Sequence, residues 1–243
     1  MVEVVRQFDL HGHTRFCRPF SERTPYFPKD VIEQVNQIKF DGVAITGHNT
    51  IEGLKETLDF ASQTGVILVP GMEITAFNGR TPHILALGLD LDHIVASRSP
   101  IPFGRKPERV IKWIHEYGGL AIAAHPSSTP KLTSLSTYEV EHLSHLLDGI
   151  EVVTLEEGKQ QGLCDLATKH HLAKLGGSDF HSLRQIGLAW TSIYEDVKTW
   201  QDVIEAIRQR KSDAFVQENI PPELARERSR NRMMQTLLML GKK

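Results

Sequence analysis

Six histidines and two carboxylates recur in one kind of place along this chain. His11 and His13 follow the run QFDL, His48 follows VAITG, and Glu73 follows LVPGM. His125 closes LAIAA, Asp179 and His181 follow KLGGS, and His83 begins the run HILALGL. Imidazole and carboxylate together suit Zn²⁺, Mn²⁺ or Fe²⁺, and one shared carboxylate can bridge two ions. The spacing His11-x-His13 puts both side chains on one face of an extended chain, because strand side chains alternate, and Asp179-x-His181 repeats that geometry. One histidine at a strand end is commonplace; eight such residues at successive strand ends point to a metal centre. Two such pairs joined by a carboxylate would make a floor for two or more ions. Glu151, inside GIEVV, reads instead as a structural strand carboxylate.

The elements that must position these side chains are short. Candidate strands cover 4–10, 42–46, 66–71, 83–89, 120–125, 149–153, 173–177 and 188–194. They are rich in Val, Ile, Leu and Ala and mostly lack strict alternation, as strands buried on both faces do. Between them Pro28 and Pro107 suit first-turn positions, each followed by an apolar face, and Gly118 suits a helix stop. Ser136 with Glu139 and Thr199 with Asp202 resemble N-terminal capping pairs. Repeated strand-then-helix units imply a parallel sheet, and seven or eight of them suggest a closed or distorted barrel, with a doubly wound open sheet as the alternative. In such folds the carboxyl ends of the strands carry the active site. His83 is the exception, since it begins its strand: that element must run the other way or be offset.

Bulk properties narrow the class. The 243 residues are 40% hydrophobic and 24% charged, ordinary values for a globular chain. A net charge of −2 gives no reason to expect a duplex-binding surface. Two cysteines, Cys17 and Cys164, are too few for a disulfide framework or a cysteine zinc site. The amino terminus has no apolar run of signal length, and nothing approaches the about 18 apolar residues of a membrane span, so a cytoplasmic location is expected. The segment 221–243, arginine-rich and then apolar, reads as a closing helix beyond a main domain of residues 1–220, packed on the barrel or extending from it.

The motifs DLHGHT (9–14), ITGHNT (45–50), GMEIT (71–75), HILALG (83–88), AAHP (123–126) and GSDFHS (177–182) resemble, in order and over nearly the whole chain, those of the PHP (polymerase and histidinol phosphatase) family. The match is most similar to the small stand-alone PHP phosphoesterases. The resemblance implies an α/β fold, a distorted (β/α)7 barrel, holding two divalent ions, or three, at its carboxyl-end face, with Mn, Zn or Fe as the metal. Carried over residue by residue, the ligands are His11, His13, His48, Glu73, His83, His125, Asp179 and His181, with Glu73 resembling the bridging carboxylate. The implied reaction is phosphoester hydrolysis with metal-bound hydroxide as nucleophile, and His83, His125 or His181 as secondary aids to proton transfer. Physically, coordination lowers the pKa of water from about 15.7 towards 7, and adjacent cations neutralise the phosphate oxygens.

Two departures from the family pattern stand out. Where a third-metal aspartate or histidine usually follows the HxH pair, this chain has Arg18 and Pro19, with Cys17 or Glu22 as possible substitutes. Where the family has ITDHNT, this chain has Gly47, which can neither ligate nor hydrogen-bond a ligand; it could let the backbone approach a substrate or adopt positive φ. The third position, near His48, is therefore expected to be weakened. Arg15, Arg18 and Arg184 are candidates for a substrate phosphate, having the residue type that binds phosphate oxygens in bidentate fashion, and Ser127 and Ser128 are weaker candidates. The expected partner is a small phosphorylated molecule: a nucleotide, a sugar-phosphate type monoester, or a short oligonucleotide, with nucleic acid entering only as substrate and no membrane partner. The alternatives are a metal-dependent hydrolase of a non-phosphate bond and a non-catalytic PHP-like binding or regulatory module with a decayed third site.

Overall fold

The computed structural model describes residues 4–18, 24–127, 131–155 and 157–225. Pro19, Glu22, Ser128 and the part of the closing segment beyond 225 lie outside the described residues. The chain alternates strands and helices: β1 (Arg6–Asp9), α1 (Pro28–Ile38), β2 (Gly42–Ile45), α2 (Leu54–Ala61), β3 (Ile67–Thr75), β4 (His83–Leu87), α3 (Leu91–Ser97), α4 (Pro107–Glu116) and β5 (Leu120–Ala123). It continues with α5 (Thr137–Leu143), β6 (Gly149–Thr154), β7 (Gly158–Lys159), α6 (Gln161–Lys169), β8 (Ala173–Gly176), β9 (Ala189–Ile193), α7 (Trp200–Arg208), β10 (Ser212–Val216) and α8 (Pro222–Ala225).

The helix signals act locally. Pro28 and Pro107 each open a helix, where the missing N–H has no partner to lose. Ser136 with Glu139 and Thr199 with Asp202 form reciprocal capping boxes. Gly118 follows α4 at φ 77°, a left-handed conformation that ends a helix cheaply only for glycine.

The strands form one curled sheet in the order β10-β9-β1-β2-β3-β4-β5-β6-β7, with β8 also paired to β6. β1, β2 and β3 run parallel, as do β5, β6 and β8. β4 is antiparallel to both β3 and β5, which resolves the anomaly at His83: a reversed strand delivers its first residue to the end where its neighbours deliver their last. Side chains draw β8 towards the opposite end of the sheet. Gly176 N–H donates to Thr191 Oγ1 (2.9 Å), Thr191 Oγ1 donates back to the Gly176 carbonyl (2.8 Å), and Ser212 Oγ donates to the Lys174 carbonyl (3.1 Å). The result is a nearly closed barrel, not an open doubly wound sheet.

Strand residues alternate between two buried clusters. Phe8, Ala44, Val69, Leu85, Leu120, Ile122 and Leu175 belong to one. Val43, Ile45, Leu68, Ile84, Ala86 and Ala121 belong to the other, with Val31, Ile32 and Val35 of α1 and Val110, Ile111 and Ile114 of α4. This double burial explains why the strands read as continuous apolar runs. Val203, Ile204 and Ile207 of α7 join the first cluster, and Ile204 fills the space beside Gly88, where an added Cβ would lie 2.5 Å from its Cγ1. Since Gly88 follows the end of β4 remote from His83, α7 forms the floor of the barrel.

Two strands depart from the sequence reading. β7 spans two residues, and β10 reads Ser-Asp-Ala-Phe-Val with Ala214 its one fully buried residue, so neither carries the apolar run that marks the other strands. Of the closing segment, α8 falls among the described residues; Leu224 is buried there and its carbonyl accepts from Gln185 Nε2 (2.9 Å).

Candidate metal centre

The two HxH-type motifs leave the barrel side by side. Gly12 and Phe180 form a parallel bridge, His13 N–H donates to the Phe180 carbonyl (3.0 Å), and Phe180 N–H donates to the His11 carbonyl (3.4 Å). Gly12 must be glycine here, because a Cβ would sit 1.8 Å from Cε1 of the Phe180 ring. Asp9, fully buried, ties the same segments from below: it accepts from Ser178 N–H (2.9 Å), Ser178 Oγ (2.5 Å) and Gly187 N–H (2.9 Å). Burial pushes its carboxyl up to about 6 against the pull of these hydrogen bonds.

The next segment, ITGHNT, is stitched in on both sides. Thr46 Oγ1 accepts from Gly12 N–H (3.0 Å) and donates to the Gly12 carbonyl (3.2 Å). Asn49, at φ 51°, accepts from Thr75 N–H (2.9 Å) and donates to Thr75 Oγ1 (3.0 Å). His48 is thereby laid against Glu73, with which it forms an isolated bridge. Gly47 has no positive φ, so that explanation for the glycine fails; a Cβ there would meet Thr50 Cγ2 at 3.3 Å and Cys17 Sγ at 3.6 Å.

Glu73 is fully buried at the focus. Its Oε1 lies 2.7 Å from His83 Nδ1, 3.1 Å from His125 Nε2 and 3.5 Å from His11 Nε2. Its Oε2 lies 3.0 Å from His48 Nδ1 and 3.4 Å from His13 Nε2. Asp179, at φ 52°, places Oδ1 2.8 Å from His13 Nε2 and 3.6 Å from His11 Nε2. The His181 ring lies 4.4 Å from that of His13, tilted by 36°. All eight residues singled out by position in the sequence are thus brought together. Four overlapping triads have donor atoms within 4.8 Å of one another: His13, His48 and His181; His11, His13 and Glu73; His11, His125 and Asp179; His48, Glu73 and His83.

The donor set fits divalent cations. His11 Nε2, His48 Nε2, His83 Nδ1 and Glu73 Oε2 are buried with no hydrogen-bond partner, although they face one another across short distances. Buried nitrogens and oxygens that converge without well-aligned hydrogen bonds suit a shared cation. Protonation tendencies differ across the set, since without a cation His13 and His83 favour the neutral form and His11 the protonated one. Burial and the charge of His48 lower His13 to about 4, and burial lowers His83 to about 4, so both are neutral, ligand-ready imidazoles at pH 7. Burial works against the Glu73 carboxylate, yet the charges of His83, His48 and His11 outweigh it and hold its pKa well below the usual range. Burial likewise opposes a proton on His11, but Glu151, Asp179 and Glu73 together raise its pKa well above the ordinary value.

Behind the donors lies a second set of groups. Glu151 Oε1 is 3.0 Å from His11 Nδ1, Cys17 Sγ is 3.3 Å from His13 Nδ1, Ser134 Oγ is 3.1 Å from His125 Nδ1, and the Asp179 carbonyl is 2.9 Å from His181 Nδ1. Cys17 therefore backs a ligand and belongs to none of the four triads among the described residues. Glu151 is not the bystander its sequence context suggests. A carboxylate inside the apolar run GIEVV, on the strand beside the one that leads to His125, was the available signal.

The arginines stand apart. Arg15 lies over the Phe27 ring (4.0 Å to its centroid), Arg18 pairs with Glu52 (3.0 Å) with both side chains exposed, and Arg184 is exposed on the short turn Leu183–Gln185. A cavity of about 100 Å³ opens beside His125 and Asp179, and its cationic lining residue among those described is Lys131, ion-paired to Glu157 at the rim. Nothing in the sequence distinguished Lys131 from other loop lysines. Ser127 is buried away from this lining, in a bridge with Ser136.

Comparison with known proteins points the same way. The sequence profile of a family described as PHP-associated matches residues 164–212. An uncharacterised protein of Methanocaldococcus jannaschii, MJ1587, is 37% identical over 151 residues, which cover 59% of this chain and 79% of that protein. A phosphoribosyl 1,2-cyclic phosphate 1,2-diphosphodiesterase of Eggerthella lenta is 34% identical over 85 residues, 34% of this chain and 30% of the enzyme. Among solved structures, a two-domain protein of Bacteroides vulgatus containing a predicted PHP-like metal-dependent phosphoesterase superposes with a TM-score of 0.73 at 17% identity, over 96% of this chain and 70% of that one.

Proposed function

The chain belongs to the PHP family, and from that premise we propose that it is a metal-dependent phosphoesterase acting on a small phosphorylated substrate, such as a nucleotide, a sugar-phosphate type monoester or a short oligonucleotide. The observation that carries this reading is the Glu73 carboxylate, buried and approached by five imidazoles, with Asp179 completing the donor set. Glu73 would be shared between two ions, one held with His48 and His83, the other with His11, His125 and Asp179. Divalent ions bound there would supply hydroxide at neutral pH and neutralise the oxygens of a phosphoryl group. His83, His125 and His181 serve first as donors to metal, and any part they take in proton transfer is secondary to that.

The cavity supports a substrate whose phosphoryl end alone is enclosed. About 100 Å³ is well below the roughly 300–1,000 Å³ of sites that swallow a whole small molecule, so the rest of the substrate would lie over the rim. Lys131 stands on that rim, able to exchange Glu157 for an anionic group of the substrate. Arg15, Arg18 and Arg184 would act further out, on an extended substrate.

The decisive experiment pairs metal analysis by mass spectrometry, on protein purified without chelator, with a screen of phosphomonoesters and diesters under added Mn²⁺, Zn²⁺ and Fe²⁺. At least one equivalent of transition metal and turnover of a phosphoester, inhibited competitively by free phosphate, is expected. Less than one equivalent, with no turnover under any metal, would overturn the reading. Turnover confined to non-phosphate esters or amides would replace it with the other hydrolase class.

A further inference from the structure

Glu151 is 2% exposed in the middle of β6, the strand between β5, which leads to His125, and β8, which leads to Asp179. Both of its oxygens are used, and both are used on candidate ligands. Oε1 is 3.0 Å from His11 Nδ1, and Oε2 accepts from the backbone N–H of His125 at 2.7 Å. His11, His125 and Asp179 form one of the four triads, so a single carboxylate grips two of its three members. The register of β6 against β8 shifts between Glu151 and Val153, which sets this side chain at the mouth of the barrel.

Each grip does something a neutral packing residue could not do. An ionised carboxylate only accepts hydrogen bonds, so the proton of His11 is held on Nδ1 and the Nε2 lone pair is left facing Glu73 and Asp179. His125 is a non-glycine residue at φ 31°, a conformation that L side chains rarely adopt unless their surroundings enforce it. A short hydrogen bond from its own N–H to a charged oxygen is such an enforcement. The packing is built around the arrangement: Gly177 leaves room for it, since a Cβ there would lie 2.5 Å from His11 Cβ and 3.1 Å from Glu151 Oε1.

We propose that Glu151 is a positioning residue that makes the His11–His125–Asp179 triad a metal site, by fixing His11 to coordinate through Nε2 and by holding the strained backbone of His125. The proposal rests on the metal-centre reading above and extends it to a residue outside the donor set. Glutamine at 151 keeps the shape but turns one acceptor into a donor. Facing His11, the amide N–H would drive the ring proton to Nε2 and block the coordinating lone pair; facing His125, it would oppose the backbone N–H.

The test uses the full chain, ¹⁵N-labelled and loaded with zinc, with long-range ¹H–¹⁵N NMR of the histidine rings alongside zinc titration. Wild-type protein should carry the His11 proton on Nδ1 with Nε2 coordinated. E151Q should lose about one equivalent of zinc, or bind one ion roughly 10–100-fold more weakly, the usual cost of removing an outer partner, while the His48–Glu73–His83 triad keeps its ion. A merely structural role would lower stability without moving the His11 proton. Unchanged equivalents and an unchanged His11 tautomer in E151Q would overturn the proposal and leave the metal reading standing. Should E151Q fail to fold, wild-type protein with His11 coordinated through Nδ1 would overturn it by itself. A wild-type chain that takes up no zinc would sink both.

Discussion

At the scale of single residues, the centre is a problem of lone pairs. Glu73 accepts the approach of five imidazole nitrogens, and its ionic neighbours among the described residues are all histidines, an arrangement in which a divalent cation would replace protons on the rings as the balancing charge. Gly47 is the residue whose meaning changed most. Its backbone is not left-handed, and a side chain there would point towards Cys17, which backs His13. Nothing in the structure requires glycine; the position lacks a carboxylate that could support a ligand. Gly47→Asp should therefore fold, with Thr50 shifting by a few tenths of an ångström, and should tighten metal binding by about tenfold, the lower end of what an outer carboxylate contributes. Competition with a chromogenic chelator measures this. An affinity equal to wild type would show that the glycine is neutral.

At the scale of elements, ligands converge because segments that are distant in sequence run edge to edge. The HGH and DFH segments pair through Gly12 and Phe180, Thr46 clasps Gly12, Asn49 clasps Thr75, and Asp9 clasps Ser178 and Gly187. Of these contacts Gly12 against Phe180 is the tightest. Gly12→Ala should cost about 1–3 kcal/mol through overpacking and should also loosen metal binding, since the two segments must separate to admit the methyl group. Combining it with Phe180→Leu should restore part of both losses, because the two sites share one clash. Thermal melts and metal titration of the single and double variants check this; additive losses would mean that the ring and the glycine do not oppose each other as the structure places them.

At the scale of the whole molecule, the barrel is a frame closed by packing and side-chain bridges, floored by α7, with Glu73 and the buried histidines gathered at the opposite mouth. No helix among the described residues is long and apolar enough to cross a membrane. Such a mouth, holding Glu73 and six histidines, should be least stable when empty. Stripping the protein with a chelator should lower Tm by roughly 5–10 °C relative to protein with free metal near 100 times its Kd, where binding contributes about 2.7 kcal/mol and each kcal/mol moves a chain of this size by about 2–4 °C. Calorimetry with and without metal measures the shift, and coincident melting curves would contradict a site built from these eight donors.

By itself the sequence determined which residues could bind metal and roughly where each stands, because residue type is chemistry and the end of an apolar run is a local signal. It also determined most strands, the proline-led helix starts and the capping boxes, all of which depend on neighbours a few positions away. The tertiary structure decided the rest. It turned β4 around so that His83 joined the others, set Glu151 behind two ligands on different strands, placed Cys17 behind His13, and brought Lys131 to the rim while Arg18 turned out to Glu52. Those outcomes depend on which strands pair, in which direction and in which register, and such pairings join residues as far apart in the chain as Arg6 and Ile193. No local pattern carries that information, so the donors are legible along the chain and their shared focus exists only once the barrel has curled.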